Sequence, residues 1–178
     1  LEVNKKVQHN PIMQDIKKGA LRYYTYGASF FNYGMLPQTW EDPAKKGFNG
    51  TAGDNDPLDV IEIGTGHTWK VGEMRPVKIL GDLELIDQGE LDHKIIVIDA
   101  ADPMAKLLNS AADLPARMPG VLEKLVEWLK MYKTTDGKAV NVLSSDATKS
   151  AAEAAKVVAE CHQSWKSLKS RGPGATGF

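Results

Sequence analysis

The residues best suited to chemistry lie in the run Gly53-Asp54-Asn55-Asp56-Pro57-Leu58-Asp59, whose carboxylates follow a D-x-D-x-x-D spacing. Pro57 stiffens this turn and Asn55 can brace it through side-chain hydrogen bonds to the backbone. A rigid loop would then present three carboxylates to one space. The spacing is not that of an EF-hand. Its sixth position is Asp59 where glycine is required, and its twelfth is Thr65 where glutamate is required. A second acidic run, residues 82–92, holds Asp82, Glu84, Asp87, Glu90 and Asp92 and no basic residue. With Asp54, Asp56, Asp59 and Glu62 in the first run, nine of the chain's 23 acidic residues fall within 20 positions. That is several times an even spread and points to a use for concentrated negative charge.

Carboxylates packed together repel, and burial raises the cost further unless protons or cations compensate. Hard oxygen ligands suit Mg²⁺, Mn²⁺ or Ca²⁺. Cationic residues stand near the acids or at element ends. Lys94 follows Asp92 by two positions, Lys133 follows Tyr132 at the end of an expected helix, and Arg22 lies in an early strand. Such a mixture suits phosphoryl chemistry. Singly, each residue has a plainer reading, as a solvated strand end, a snorkelling lysine or a helix-terminal charge. The joint pattern is what favours a metal site.

The elements that must position these groups come next. Residues 58–63 read as a strand, residues 75–87 as one or two strands interrupted at Gly81, and residues 94–99 as a strand buried on both sides. Gly64 and Gly66 end the first of them. Side chains alternate along a strand. Asp59 therefore shares a face with Ile61 and Ile63, Asp87 with Leu83 and Leu85, and Asp92 with Lys94, Ile96 and Ile98. Each acid sits where an apolar face begins, at the mouth of an interior. Residues 17–24 suggest a turn and short strand, and residues 33–57 read as loop, rich in glycine and proline. Two helices follow. One is opened by Pro119 and Gly120 and carries Leu122, Leu125, Leu129 and Tyr132. The other covers roughly 147–169 with Ala151, Ala154, Val158, Cys161, Trp165 and Leu168 on one stripe. Strands first and helices last predict an α+β fold, best satisfied by an antiparallel barrel closed by helices.

Composition narrows the function classes. The 22 Lys and Arg nearly cancel the 23 acids, so the formal charge is −1, unlike a polyanion-binding domain. No apolar run approaches a membrane span. A single cysteine, Cys161, forms no internal disulfide, which points to a reducing compartment, and on the helix stripe it reads as an inert core thiol. His9, His67, His93 and His162 show no zinc-binding spacing, although His93 stands beside the acids and could serve an outer shell. There is no nucleophile elbow and no Walker loop.

The stretch GDNDPLDVIEIG (53–64) resembles the signature of the soluble, Mg²⁺-dependent inorganic pyrophosphatases, in their eukaryotic-type branch. NYGMLPQTWEDP (32–43), LIDQGELDHKIIVID (85–99), YKTTDGK (132–138) and HQSWK (162–166) match in order, so the similarity runs from about Glu2 to Leu168. The resemblance implies a small antiparallel OB-like β-barrel with flanking helices, as one domain over residues 1–170 and a flexible tail over 171–178. It implies metal binding by Asp54, Asp56, Asp59, Asp87 and Asp92, with Asp56 also the general base on the attacking water. Arg22, Tyr33, Lys94, Tyr132 and Lys133 would bind the substrate, and Glu2 would support the metal and water network. The expected reaction is hydrolysis of inorganic pyrophosphate to two orthophosphates by in-line attack of a metal-activated water, with no covalent intermediate. Several Mg²⁺ ions would serve, with Mn²⁺ as a possible substitute. A homodimer in the cytoplasm is expected, without nucleic-acid or membrane partners, and organellar targeting stays open. The family also carries a glutamate and a lysine upstream of Leu1, so a further N-terminal part is expected. It usually has a tyrosine where Ser29 stands, a place Tyr26 could fill. Two alternatives remain: an OB-type binding module without catalysis, and a catalytically impaired relative of the family.

Overall fold

The opening residues pair only locally. In the computed structural model, which describes residues 1–65, 68–145 and 147–172, β1 (Glu2–Val3) runs antiparallel to β2 (Ile12–Met13). β3 (Ile16–Lys17) and β4 (Ala20–Leu21) form a small hairpin whose turn residues Lys18 and Gly19 have φ of 51° and 79°, the left-handed geometry that matches strand twist. Arg22 follows this hairpin directly. β5 (Asn32–Met35) falls within the stretch expected to be loop. Gly34 is extended there and pairs with Val60.

The remaining strands are β6 (Ala52–Gly53), β7 (Asp59–Glu62), β8 (Val77–Asp87) and β9 (Glu90–Asp99). After α1 (Leu114–Arg117) and α2 (Val121–Met131) come β10 (Val142–Leu143), β11 (Lys149–Ser150) and α3 (Ala151–Arg171). The main sheet has the order β10-β8-β9-β7-β5, with β6 on β9 and β11 on β8. β8 and β9 form one long antiparallel hairpin around Gln88 and Gly89, at φ of 52° and 93°. Gly81 bends β8 at a register shift without ending it. The sheet is mixed, not antiparallel as expected. β9 inserts between β7 and β8, so β7 and β9 run parallel. The fold is α+β. Among the described residues no ladder joins β5 to β10, the two ends of the path.

Each face of the sheet has its own core. Ile61, Leu83, Leu85, Ile96 and Ile98 point to one side and pack with Leu125, Trp128 and Leu129 of α2. Val60, Ile95 and Val97 point to the other and pack under α3 on Ala154, Val158 and Cys161. The faces thus follow strand alternation. Gly120, at φ 82°, starts α2 in a conformation that a side chain would strain. α3 starts later than expected because Lys149 and Ser150 are spent on pairing with Asp82 and Gly81. Ser150 and Glu153 then form a reciprocal cap. At its other end α3 runs to Arg171, past the expected 169. Gly66, His67, Asp146 and residues 173–178 lie outside the described residues, and with them most of the expected tail.

Candidate active site

On the α2 side, the sheet ends in charge. Register sets Asp59 of β7 beside Lys94 of β9, and Leu85 of β8 beside Asp92. Lys94 is 2% exposed and does not snorkel to water. Its Nζ donates to Asp92 at 2.6 Å, to the Tyr33 hydroxyl at 3.0 Å and to Asp59. Tyr33, brought in by β5, also donates to Asp59. Burial alone would strip the proton from Lys94, but Asp59, Tyr33 and Asp92 outweigh it and hold the ammonium far above its usual range. Asp92 is pushed up to about 6 by burial, although Lys94 pulls it back. Tyr33 is raised by burial of its hydroxyl and by Asp59.

The 53–59 loop reaches this centre because it docks on Glu41. Glu41 N donates to Asp56 O at 2.9 Å, and Asn55 N donates to Glu41 O at 3.0 Å. A Cβ at Gly53 would come 2.7 Å from the Glu41 carbonyl, so glycine permits the close approach. The turn is braced by Asp54, whose Oδ1 accepts from Asp56 N at 2.9 Å. The Asn55 side chain, expected to do this, instead accepts from the indole of Trp40 at 2.8 Å. One oxygen each of Glu41, Asp54 and Asp92 lie within 4.8 Å of one another. Burial, then the charge of Asp92, pushes Asp54 up to about 8. Glu41 is raised as well, by burial first and then by Asp54 and Asp92.

Asp87 and Lys133 pair at the mouth of the same face. Tyr132 stacks on Trp128 with ring centroids 4.8 Å apart, and burial raises its hydroxyl. Asp56 is more open than Asp59, Asp87 or Asp92, with its carboxylate side chain 40% exposed, and its Oδ2 meets the ammonium of Lys5 at 2.9 Å. Arg22 and Glu2 approach each other at 3.4 Å, and Arg22 also holds Asp15 at 3.0 Å and Asp136 at 3.7 Å. The structure therefore brings Tyr33, Asp54, Asp59, Asp92 and Lys94 into one centre. Asp87, Tyr132 and Lys133 flank it, Asp56 lies on its loop, and Arg22 with Glu2 forms a separate ionic group. Ser29 is exposed, and Tyr26 packs against the α2-side core.

Sequence reasoning missed Glu41 and Lys5. Glu41 lies in the buried stretch 39–42 beside Trp40, but with Thr39 and Asp42 as its other neighbours the sequence does not mark it as buried. Nothing in the sequence distinguishes Lys5. The donor set fits a hard divalent ion. It consists of oxygens, carboxylates outnumber ammonium groups, and buried Glu41 Oε2 and Asp87 Oδ1 have no hydrogen-bond partner among the described residues.

Residues 1–166 match the family model described as inorganic pyrophosphatase. An inorganic pyrophosphatase of Drosophila melanogaster is 46% identical over 97% of this chain. The soluble inorganic pyrophosphatase 1, chloroplastic, of Chlamydomonas reinhardtii is 45% identical over 96% of it. This chain spans 53% and 61% of those two relatives. An N-terminally truncated vacuolar soluble pyrophosphatase of Trypanosoma cruzi, solved in complex with PPi, superposes with a TM-score of 0.92 at 40% identity. That match covers 95% of this chain and 64% of the solved one.

Proposed function

The chain belongs to the inorganic pyrophosphatase family, and from that premise we propose that it hydrolyses inorganic pyrophosphate to two orthophosphates. The observation that carries this reading is a cluster of oxygen donors, in excess over cations, around the buried ammonium of Lys94. Asp54, Asp56, Asp59, Asp87 and Asp92 would hold several Mg²⁺ ions, with Mn²⁺ as a substitute, and Glu41 adds a further oxygen beside Asp54 and Asp92. Bound there, the ions would neutralise phosphate oxygens, lower the pKa of a water and align its attack.

The chain's own residues do the rest. Asp56, whose carboxylate is 40% exposed, takes the proton of the attacking water. Lys94 and Lys133 balance Asp59, Asp92 and Asp87 in the absence of substrate. Together with Arg22 they supply positive charge to the bound and departing phosphates. The hydroxyls of Tyr33 and Tyr132, raised above the ordinary phenol range, stay protonated and donate to phosphate oxygens. Glu2 orients Arg22. No covalent intermediate is required. Phosphate release tests the reading. Asp56→Asn should lower turnover by roughly 10²- to 10⁴-fold, and a chelator should abolish it. Turnover indifferent to both would overturn the proposal.

The family resemblance also supports an OB-like closure of the mixed sheet, one domain over residues 1–170 and a homodimer. Sedimentation of the full-length protein tests the last, with the mass of a single chain as the contrary result. No helix among the described residues is long and apolar enough to cross a membrane. The cytoplasm is the proposed compartment, and fluorescence of a tagged full-length protein in an organelle would overturn it.

A further inference from the structure

The β8–β9 hairpin carries a second polar cluster on its other face, under α3 and away from Lys94. Glu84 and His93 are direct partners across the ladder, and Asp82 lies two residues from Glu84 on the same face. One ring nitrogen of His93 and one oxygen each of Asp82 and Glu84 lie within 4.8 Å of one another. Asp82 is 0% exposed. Its Oδ2 meets His93 Nδ1 at 2.7 Å, while its Oδ1 is buried without a partner. Its ladder partner is Ile95, a member of the apolar cluster with Val97 and Ala154, and a buried carboxylate oxygen left unmatched is costly. Glu84 is held by Lys149 and by the Ser144 hydroxyl, at 2.7 Å for the latter. The lysine thus pairs with Glu84 and leaves Asp82 to His93, and its side chain is 37% exposed. It is free to swing to solvent when a stronger cation arrives.

We infer that Asp82, Glu84 and His93 form a binding site for a divalent transition-metal ion, Zn²⁺ foremost. One imidazole nitrogen and two carboxylate oxygens are a borderline set that suits Zn²⁺ and does not suit Mg²⁺. A doubly charged ion in place of the Lys149 ammonium would neutralise both carboxylates and supply the missing partner of Asp82 Oδ1. The ion would staple β8 to β9 directly behind Asp92 and Lys94. The sequence hides the site because its ligands meet only through strand register.

The test is NMR of the His93 ring in protein saturated with Mg²⁺, titrated with Zn²⁺. Stoichiometric Zn²⁺ should shift the His93 resonances where Mg²⁺ does not. Asp82→Asn and Glu84→Gln should each weaken this response at least about tenfold, the scale on which even outer partners of a metal act. Lys149→Gln, a change at the rim that spares the fold, should tighten it by removing the competing charge. His93 resonances unmoved by Zn²⁺, or affinity unchanged in Glu84→Gln and Lys149→Gln, would overturn the site. The readout does not depend on pyrophosphate turnover.

Discussion

The two faces of the β8–β9 hairpin solve one problem in different ways. Both bury carboxylates, and both set a lysine against them. On the α2 side the ammonium of Lys94 is sealed in, 2% exposed, with Asp59, Asp92 and Tyr33 all directed at it. On the α3 side the ammonium of Lys149 lies at the rim and reaches Glu84 alone, leaving Asp82 to His93. The first arrangement is closed by electrostatics, with Asp56 and the Asp87–Lys133 pair at its edge. The second is closed by apolar packing. Strand alternation, which assigns each residue to one face, keeps two charge systems that are interleaved in sequence from merging.

The sharpest way to break this comparison is to remove the sealed lysine. Lys94→Met leaves the buried Asp92 and the partly buried Asp59 without their cation, and truncating one partner of a buried ionic group costs about 3–5 kcal/mol. Urea unfolding of the metal-free protein should show that loss. A change under 1 kcal/mol, as for a surface pair, would mean that Lys94 does not hold the centre together.

Next in size is a pH effect. Asp54 and Asp92 are raised in the folded state, to about 8 and about 6. The native protein therefore binds more protons than the unfolded chain once pH passes the ordinary carboxylate range near 3.8. Stability contributed by these groups is full below that range and is lost as pH rises toward 8. Metal-free protein should melt at progressively lower temperature from pH 5 to pH 8, and saturating Mg²⁺ should flatten the trend. A melting temperature that rises across this window without metal would contradict the assigned environments.

The smallest expected effect belongs to the rim. Lys149→Met removes a lysine at the rim, 37% exposed, from a Glu84 that keeps its Ser144 hydrogen bond, and should cost at most about 1 kcal/mol in metal-free protein. A loss comparable to that of Lys94→Met would erase the distinction between the two faces.

Much of the α2-side centre was legible in the sequence because it depends on period two. Asp59 with Ile61, and Asp92 with Lys94 and Ile96, could be assigned to one interior from spacing alone. What was illegible depended on partners distant in sequence. The parallel pairing of β7 with β9 follows from the insertion of β9 beside β7, which no local pattern records. β5 was hidden by Gly34, a residue that reads as a breaker but lies extended here. The hairpin turn was hidden as well, since Gln88 takes a left-handed conformation that asparagine or glycine would have advertised. Without that turn the register of Glu84 with His93 had no basis. Glu41 enters the site through backbone hydrogen bonds to the 53–59 loop, and its side chain leaves no spacing to detect.

The insertion of β9 between β8 and β7 also bears on the order of assembly. The β8–β9 hairpin closes over a two-residue turn, a local event, whereas Asp59 meets Lys94 only when β7 docks from 35 residues away. Loop closure over that distance is entropically more costly and slower. The hairpin is then an early element of folding and the carboxylate centre a late one. An ion that needs the finished centre would leave the folding rate nearly unchanged and slow unfolding instead. Stopped-flow measurements with and without Mg²⁺ would separate these cases, and a metal-accelerated folding limb would place the centre in the folding nucleus.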